Sequence, residues 1–354
     1  MPELTTVDRR LLDLIQQEIP LTPRPYLDLA RRLGLTEQDV LSRVAALSGD
    51  RLSPIRQISA IFDSRALGYQ SCLVAAKVDP DRIREAAAVI NQHPGVSHNY
   101  QREHAYNLWF TLAVPADSRL GLERTAAALR ELSGAAQVRL LPAIKMYKIG
   151  VKFDLGGEGA AAASDGPAPA ATAEVKSLGP IGEADKAMIR VLQQHLPITP
   201  RPFDEWAEQA GCTAEALLAA ATRYRDAGLM RRFSAVLRHR EIGVSANAMG
   251  VWVVPPVGYE RFGRLAAEYS AVSHCYVRPT YPDWPYSLFT MVHGKTRDEC
   301  EATLKAISAA SGVMEYTSLY STVEFKKVRV KYFGEEIAQW ESAHEQLRAA
   351  VATS

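Results

Sequence analysis

Apolar residues recur at helical spacing at Leu11, Leu12 and Ile15, and again at Met188, Ile189 and Leu192, which predicts an amphipathic helix at the start of each half of the chain. Asp8 and Asp185 stand at the expected cap positions. A Pro-rich turn follows each, then a second helix over 26–33 or 203–210 and a glycine break at Gly34 or Gly211. A third helix, which Thr36 or Thr213 can cap, completes a helix-turn-helix pattern. The segments 55–63 and 231–238 read as a β-wing.

The period then changes. In the first half 70–78 reads as a strand, 80–91 as a helix, 96–102 and 106–114 as paired strands, 120–132 as a helix and 137–148 as a last strand. The second half repeats this at 246–254, 259–269, 272–278, 286–293, 297–309 and 314–324. The order β-α-β-β-α-β implies a ferredoxin-like sheet with its helices on one face. A final helix, 335–351, has no counterpart in the first half. The expected class is therefore α+β, as two tandem copies of a winged helix-turn-helix followed by a ferredoxin-like domain.

Self-comparison supports the duplication directly. Asp8-Arg9-Arg10-Leu11-Leu12 aligns with Asp185-Lys186-Ala187-Met188-Ile189, and Pro23-Arg24-Pro25-Tyr26 with Pro200-Arg201-Pro202-Phe203, both at an offset of 177. Between the halves lies an Ala/Gly/Pro segment with too little large apolar surface to fold, which reads as a tether holding them together. The expected domains are 1–54, 55–155, a linker at 156–180, 181–230, 231–333 and a C-terminal helix at 334–354.

Composition narrows the function classes. A formal net charge of +1 gives no general pull toward nucleic acid or an anionic membrane. The four cysteines show no metal-binding or disulfide spacing, and no apolar run could span a bilayer, so a reducing cytoplasmic setting is expected. The third helix of the first half carries Glu37 and Asp39 against Arg43, and that of the second is mostly alanine and leucine. Neither offers what base readout needs, and DNA binding is not expected.

The chemistry-bearing pattern is Val-Ser-His-x-Tyr-x-Arg, which occurs as Val96 to Arg102 and again as Val272 to Arg278. A strand's period of two puts His98, Tyr100 and Arg102 on one face, and likewise His274, Tyr276 and Arg278. Histidine can move a proton near neutrality or offer a neutral nitrogen to iron, and the arginine fork suits carboxylates. A single histidine would more often be a satisfied, partly buried side chain; its recurrence at equivalent positions weighs toward function. His104, Tyr106, Trp109, Trp284 and Tyr286, with Lys145, Lys148 and Lys327, would suit a large flat polycarboxylate.

This combination resembles the siroheme decarboxylase family of Lrp/AsnC-like proteins. The resemblance rests on Thr-Pro-Arg-Pro and His-x-Tyr-x-Arg in each half, on Glu103 to Phe110 in the first and on Pro279 to Met291 in the second, and covers residues 8–153 and 183–333. It implies a natural fusion of two homologous subunits that pair with each other and remove carbon dioxide from two acetate side chains of siroheme, giving didecarboxysiroheme on a route to haem d1 or haem. His98 and His274 would be proton donors or axial ligands to the substrate's iron, assisted by Tyr100 and Tyr276. Arg102, Arg278 and the residues around them would bind substrate. No cofactor is implied, since the iron belongs to the substrate, and further association to a homo-dimer is compatible with the fold. Asn99 against Cys275, and Glu103 against Pro279, make the two copies unequal. A haem-responsive regulator or a non-catalytic tetrapyrrole carrier would use the same pocket.

Overall fold

A computed structural model of the chain describes residues 4–49, 53–149, 179, 181–237 and 246–352. The first half runs α1 (Thr6–Gln17), α2 (Pro25–Leu33), α3 (Glu37–Ser48), β1 (Ile55–Phe62), β2 (Gln70–Lys77), α4 (Ile83–Asn91), β3 (Val96–Arg102), β4 (Leu108–Val114), α5 (Gly121–Ser133), β5 (Gln137–Leu141) and β6 (Lys145–Ile149). The second runs α6 (Glu183–Leu192), α7 (Pro202–Gln209), α8 (Ala214–Asp226), β7 (Met230–Leu237), β8 (Ala246–Trp252), α9 (Tyr259–Glu268), β9 (Val272–Val277), β10 (Leu288–Gly294), α10 (Arg297–Ser311) and β11 (Tyr316–Lys327), and adds α11 (Glu336–Ala352). These elements form two compact units, one of Met1–Gly68, Ala170–Arg240 and Lys331–Gly334, the other of Tyr69–Pro169, Glu241–Val330 and Glu335–Ser354. Most of the expected tether at 156–180 lies outside the described residues.

In the first unit Leu11, Leu12 and Ile15 of α1 and Ile189 and Leu192 of α6 are buried as their spacing predicted, whereas Met188 is only half-buried; Tyr26, Val40 and Val44 in one copy and Phe203, Trp206, Leu217 and Tyr224 in the other are buried as well. The caps differ from expectation. Thr5, not Asp8, caps α1, and Asp8 closes a capping box from three residues on. Gly182 precedes α6 with no side-chain cap, and Asp185 instead accepts from Tyr224 and Arg223, both at 2.5 Å. The segments expected as wings, β1 and β7, pair with each other antiparallel, Ser59 opposite Ser234. Ile19 N donates to Phe233 O at 2.7 Å and Leu196 N to Ile58 O at 2.8 Å, so each copy is tied to the other's strand. Both strands therefore belong to the same compact unit as the helices, which in the first half runs to Gly68.

The second unit holds both ferredoxin-like motifs in one sheet of order β5-β2-β4-β3-β11-β8-β10-β9-β6. The strand expected over 137–148 breaks in two: β5 pairs with β2 of its own half, and β6 pairs with β9 of the other. Its counterpart β11 stays continuous, running along β8 at Tyr316 to Tyr320 and then along β3 from Ser321 to Lys327. The last strand of each half thus completes the sheet edge of the other, and the two halves pair. Each half has its own core between sheet and helices, with Val74, Ile90, Phe110 and Leu129 in one and Trp252, Phe262, Val292 and Leu304 in the other. A third core, built of Trp109, Leu141, Met249, Trp284, Phe289 and Leu319, draws on the opposite sheet faces of both. Helix α11 packs on the first half, where Trp340 meets the His93 ring at 4.5 Å and Glu341 accepts from Ser118 Oγ (2.5 Å) and from the Arg119 and Leu120 amides at the start of α5.

Candidate functional site

The two repeated rows occupy equivalent strands, β3 between β4 and β11, and β9 between β10 and β6. Tyr100 lies opposite Trp109, and Tyr276 opposite Phe289, which places both rows on the face of the shared third core. The alternate residues point to the helices: Asn99 Nδ2 donates to Asn91 Oδ1 on α4 at 2.9 Å, and Cys275 is buried in the second half's own core. Burial pushes the Cys275 thiol up to about 12, so it is protonated and inert at neutral pH. In each row histidine and tyrosine rings lie face to face, at 6.2 Å for His98 and Tyr100 and 5.9 Å for His274 and Tyr276.

Each row histidine is held by the serine before it. Ser97 Oγ lies 3.0 Å from His98 Nδ1, and Ser273 Oγ lies 2.7 Å from His274 Nδ1. The contacts beyond the serines differ: Ser97 meets Thr111 Oγ1 at 2.6 Å, whereas Ser273 meets His293 Nε2 at 2.6 Å. Burial, then the neighbouring His293 and Arg278, lowers His274 to about 4, so its imidazole is neutral at neutral pH.

The arginines cross between halves. Arg102 Nη1 donates to Leu319 O at 2.7 Å, and Arg278 Nη1 donates to Leu141 O. Arg102 is 7% exposed and its Nε has no hydrogen-bond partner. Burial lowers its pKa only to about 10, so it keeps its charge. Arg278 lies over the Tyr276 and Phe289 rings, at 5.1 and 5.2 Å.

The aromatic residues gather into one cluster. Trp284, fully buried, meets His104 at 5.4 Å, Tyr106 at 5.5 Å, Trp109 at 5.3 Å and Tyr286 at 4.9 Å. Asp283 pins the loop that carries Trp284, accepting from Tyr106 Oη at 2.6 Å and pairing with Arg139 at 2.8 Å. Trp284 Nε1 has no hydrogen-bond partner. Of the three lysines, Lys327 alone lies level with a row histidine, opposite His98 in the β11 register. Lys145 pairs with Glu260 on α9, and Lys148 donates to Tyr269 O at the end of α9 at 2.7 Å, so both are turned to the helix-covered face. A bulge between Met146 and Lys148 sets Lys148 level with Cys275, not with a row residue.

A shallow depression of about 220 Å³, lined by Glu123, Arg130, Gln137, Val138 and Tyr281 among others, lies on the α5 and β5 side and includes no row residue. Among the described residues no group of three or more His, Cys, Asp or Glu could hold a metal ion, and no helix is long and apolar enough to cross a membrane.

A model of the AsnC-like ligand binding domain matches residues 66–148 and 241–326, and one of the siroheme decarboxylase NirDL-like HTH domain matches 8–52 and 185–231. The siroheme decarboxylase of Hydrogenobacter thermophilus is 39% identical over 333 residues, 94% of this chain and 96% of that protein. The chain belongs to the siroheme decarboxylase family. A family structure, the crystal structure of the siroheme decarboxylase NirDL in co-complex with iron-uroporphyrin III analogue, matches at a TM-score of 0.77 and 34% identity, over 97% of this chain and 99% of that one. The siroheme decarboxylase beta subunit of Methanosarcina barkeri is 43% identical over 149 residues, 42% of this chain and 98% of its own length. One half of this chain thus has the length of a whole subunit in that relative.

Sequence reasoning passed over Ser97, Ser273, Thr111, His293, Asp283 and Arg139. The serines stood inside the repeated Val-Ser-His pattern, where they carried a signal that was given no role. His293 shares a strand face with Phe289 and Met291 at a spacing of two, but only the β9–β10 register shows that it reaches Ser273.

Proposed function

We propose that this chain is a carboxy-lyase that removes carbon dioxide from two acetate side chains of siroheme to give didecarboxysiroheme. The observation that carries the reading is the nearly full-length likeness to proteins named siroheme decarboxylase, together with the twin histidine rows on one core face.

Breaking the bond between an acetate methylene and its carboxylate leaves an electron pair on the methylene carbon, where the conjugated ring delocalises it. One proton then makes the methyl group. The electrons stay on carbon, so the step needs no redox cofactor. We assign proton delivery to His274 and His98, with Tyr276 and Tyr100 fixing their rings. Either imidazole can also present a neutral nitrogen to the substrate's iron. Arg102 is the favoured anion anchor: it is buried, charged, and has an N–H still to satisfy, which a propionate or spare acetate would complete by a charge-assisted bond. Arg278 and Lys327 would hold further carboxylates. A substrate carboxylate beside His274 would raise its pKa toward the working range.

The helix-turn-helix domains favour a second reading, a haem- or siroheme-responsive regulator. Against it, the arginines of both third helices are engaged with acids: Arg43 with Asp8 at 2.6 Å, Arg223 with Asp185 at 2.5 Å and Arg225 with Glu18 at 3.2 Å. Anaerobic incubation with siroheme, with carbon dioxide collected and a parallel gel shift on genomic fragments, separates the two. The enzyme releases two carbon dioxides per siroheme and shifts no fragment. Salt-sensitive shifts without gas release would contradict it.

A further inference from the structure

Arg139 stands on the same sheet face as the first histidine row. Directly opposed residues of neighbouring strands share a face, and Tyr100 is opposite Trp109, Trp109 opposite Ala75, and Ala75 opposite Arg139. Arg139 therefore sits three strand spacings from Tyr100, about 14 Å along the sheet. Between them Ala75 is small and Trp109 is flat, which makes a floor suited to a planar ligand. The same line in the second half runs Tyr276, Phe289, Val251 and Thr317, with no cation at its end.

The Arg139 fork already holds a carboxylate, and the chain supplies it. Asp283 Oδ1 accepts from Arg139 Nε at 2.9 Å and lies 2.8 Å from Nη2, while Asp283 Oδ2 accepts from Tyr106 Oη at 2.6 Å. The next residue, Trp284, sets a flat ring with a pyrrole-type N–H against Trp109, 5.3 Å between centroids. Asp283 and Trp284 thus present to the first half a carboxylate beside an aromatic ring, the two chemical features of a carboxylated tetrapyrrole. Both residues come from the longer of the two equivalent loops: five residues separate Arg102 from Leu108, and nine separate Arg278 from Leu288.

We infer that Arg139 and Tyr106 are a carboxylate subsite of the tetrapyrrole site, which Asp283 fills until a propionate or spare acetate of the substrate displaces it and releases the loop with Trp284. This rests on the decarboxylase reading for its substrate and deepens it. Two features lower the cost of the exchange. The Asp283 side chain is 47% exposed, so the freed carboxylate passes to water without leaving a buried charge. Trp284 Nε1 is buried with no hydrogen-bond partner, so the resting loop leaves unmatched a donor that its release would hydrate. The Tyr106 hydroxyl, then Arg139, hold Asp283 below the usual carboxylate range, so the resting occupant is the ionised form, like the group that replaces it.

The test is an anaerobic titration of siroheme into the full chain, Asp283→Asn and the double variant Asp283→Asn/Arg139→Gln, followed by the absorption of the bound tetrapyrrole. Asp283→Asn weakens the internal competitor, so more of the chain is ready to bind and Kd should fall about 3–10-fold. The double variant has lost the fork as well, and should bind about 10-fold more weakly than Asp283→Asn. In the wild-type chain, hydrogen exchange at the Tyr281 and Trp284 amides, which bond each other's carbonyls at 2.8 and 2.9 Å, should quicken when siroheme binds. A merely structural pin predicts the opposite sign: equal or weaker binding by Asp283→Asn, or slower exchange on binding, would overturn the subsite. Tighter binding by Asp283→Asn with siroheme recovered at its original mass would keep the subsite and sink the decarboxylase reading. Loss of carbon dioxide with the same Kd in all three proteins would do the reverse.

Discussion

Arg102 of the first half donates to the Leu319 carbonyl of the second at 2.7 Å, and the equivalent Arg278 donates to Leu141 of the first. The one residue type in the rows that could have been a free anion clamp is thereby also a fastener between the halves. Replacing Arg102 with Met keeps the apolar stem but leaves the Leu319 carbonyl unmatched, which should cost about 1–3 kcal/mol of stability. The same variant should bind siroheme more weakly, because the buried charge is gone. Urea unfolding and a siroheme titration read the two effects separately. Unchanged siroheme affinity would restrict Arg102 to the structural role.

Trp284 is the centre of the shared aromatic core, in ring contact with residues of both halves. Trp284→Ala should cost about 3–5 kcal/mol, and Trp284→Phe much less, as seen in the denaturation midpoint. A loss below about 1 kcal/mol for the alanine variant would mean that the cluster is looser than described.

His93 gives the fold an acid-sensitive point. It is fully buried against Trp340, and burial, then nearby Lys326, lowers it from 6.5 to about 3. A depressed folded-state value means that the unfolded chain binds the proton more readily. The stabilisation is complete above about pH 6.5 and is lost as pH falls through the folded value, with a slope of up to about 1.4 kcal/mol per pH unit between them. His93→Gln should flatten the fall of Tm between pH 6.5 and 4. An unchanged pH profile would move the acid sensitivity to the other buried histidines.

Helix α11 should stabilise the first half specifically. Glu341→Ala leaves Ser118 Oγ and the Arg119 and Leu120 amides without their acceptor, at a cost of about 1–2 kcal/mol. Hydrogen exchange should then rise at the start of α5 and not in α10. A uniform rise across both halves would contradict the local role.

Period-two alternation sufficed to place His98, Tyr100, His274 and Tyr276 on common faces, because it depends only on each strand's own sequence. The repeat likewise made the pairing of the halves legible. What the sequence could not display was nonlocal. Nothing near Pro142 says that the chain leaves β2 for the edge of the other half, and the bulge that turns Lys148 to the helices exists only against β9. The same holds for β1, whose partner β7 lies far along the chain, so that the supposed wing became part of the helical unit. Thr5 and Asp8 are both cap residue types three positions apart, and only the amide geometry shows which one caps.

The central claim is that siroheme loses carbon dioxide on this chain. The most direct measurement is anaerobic incubation of the purified protein with siroheme, followed by mass analysis of the extracted tetrapyrrole. The account predicts a product lighter by two carbon dioxides, preceded by an intermediate lighter by one. Siroheme recovered at its original mass, bound or free, would contradict it.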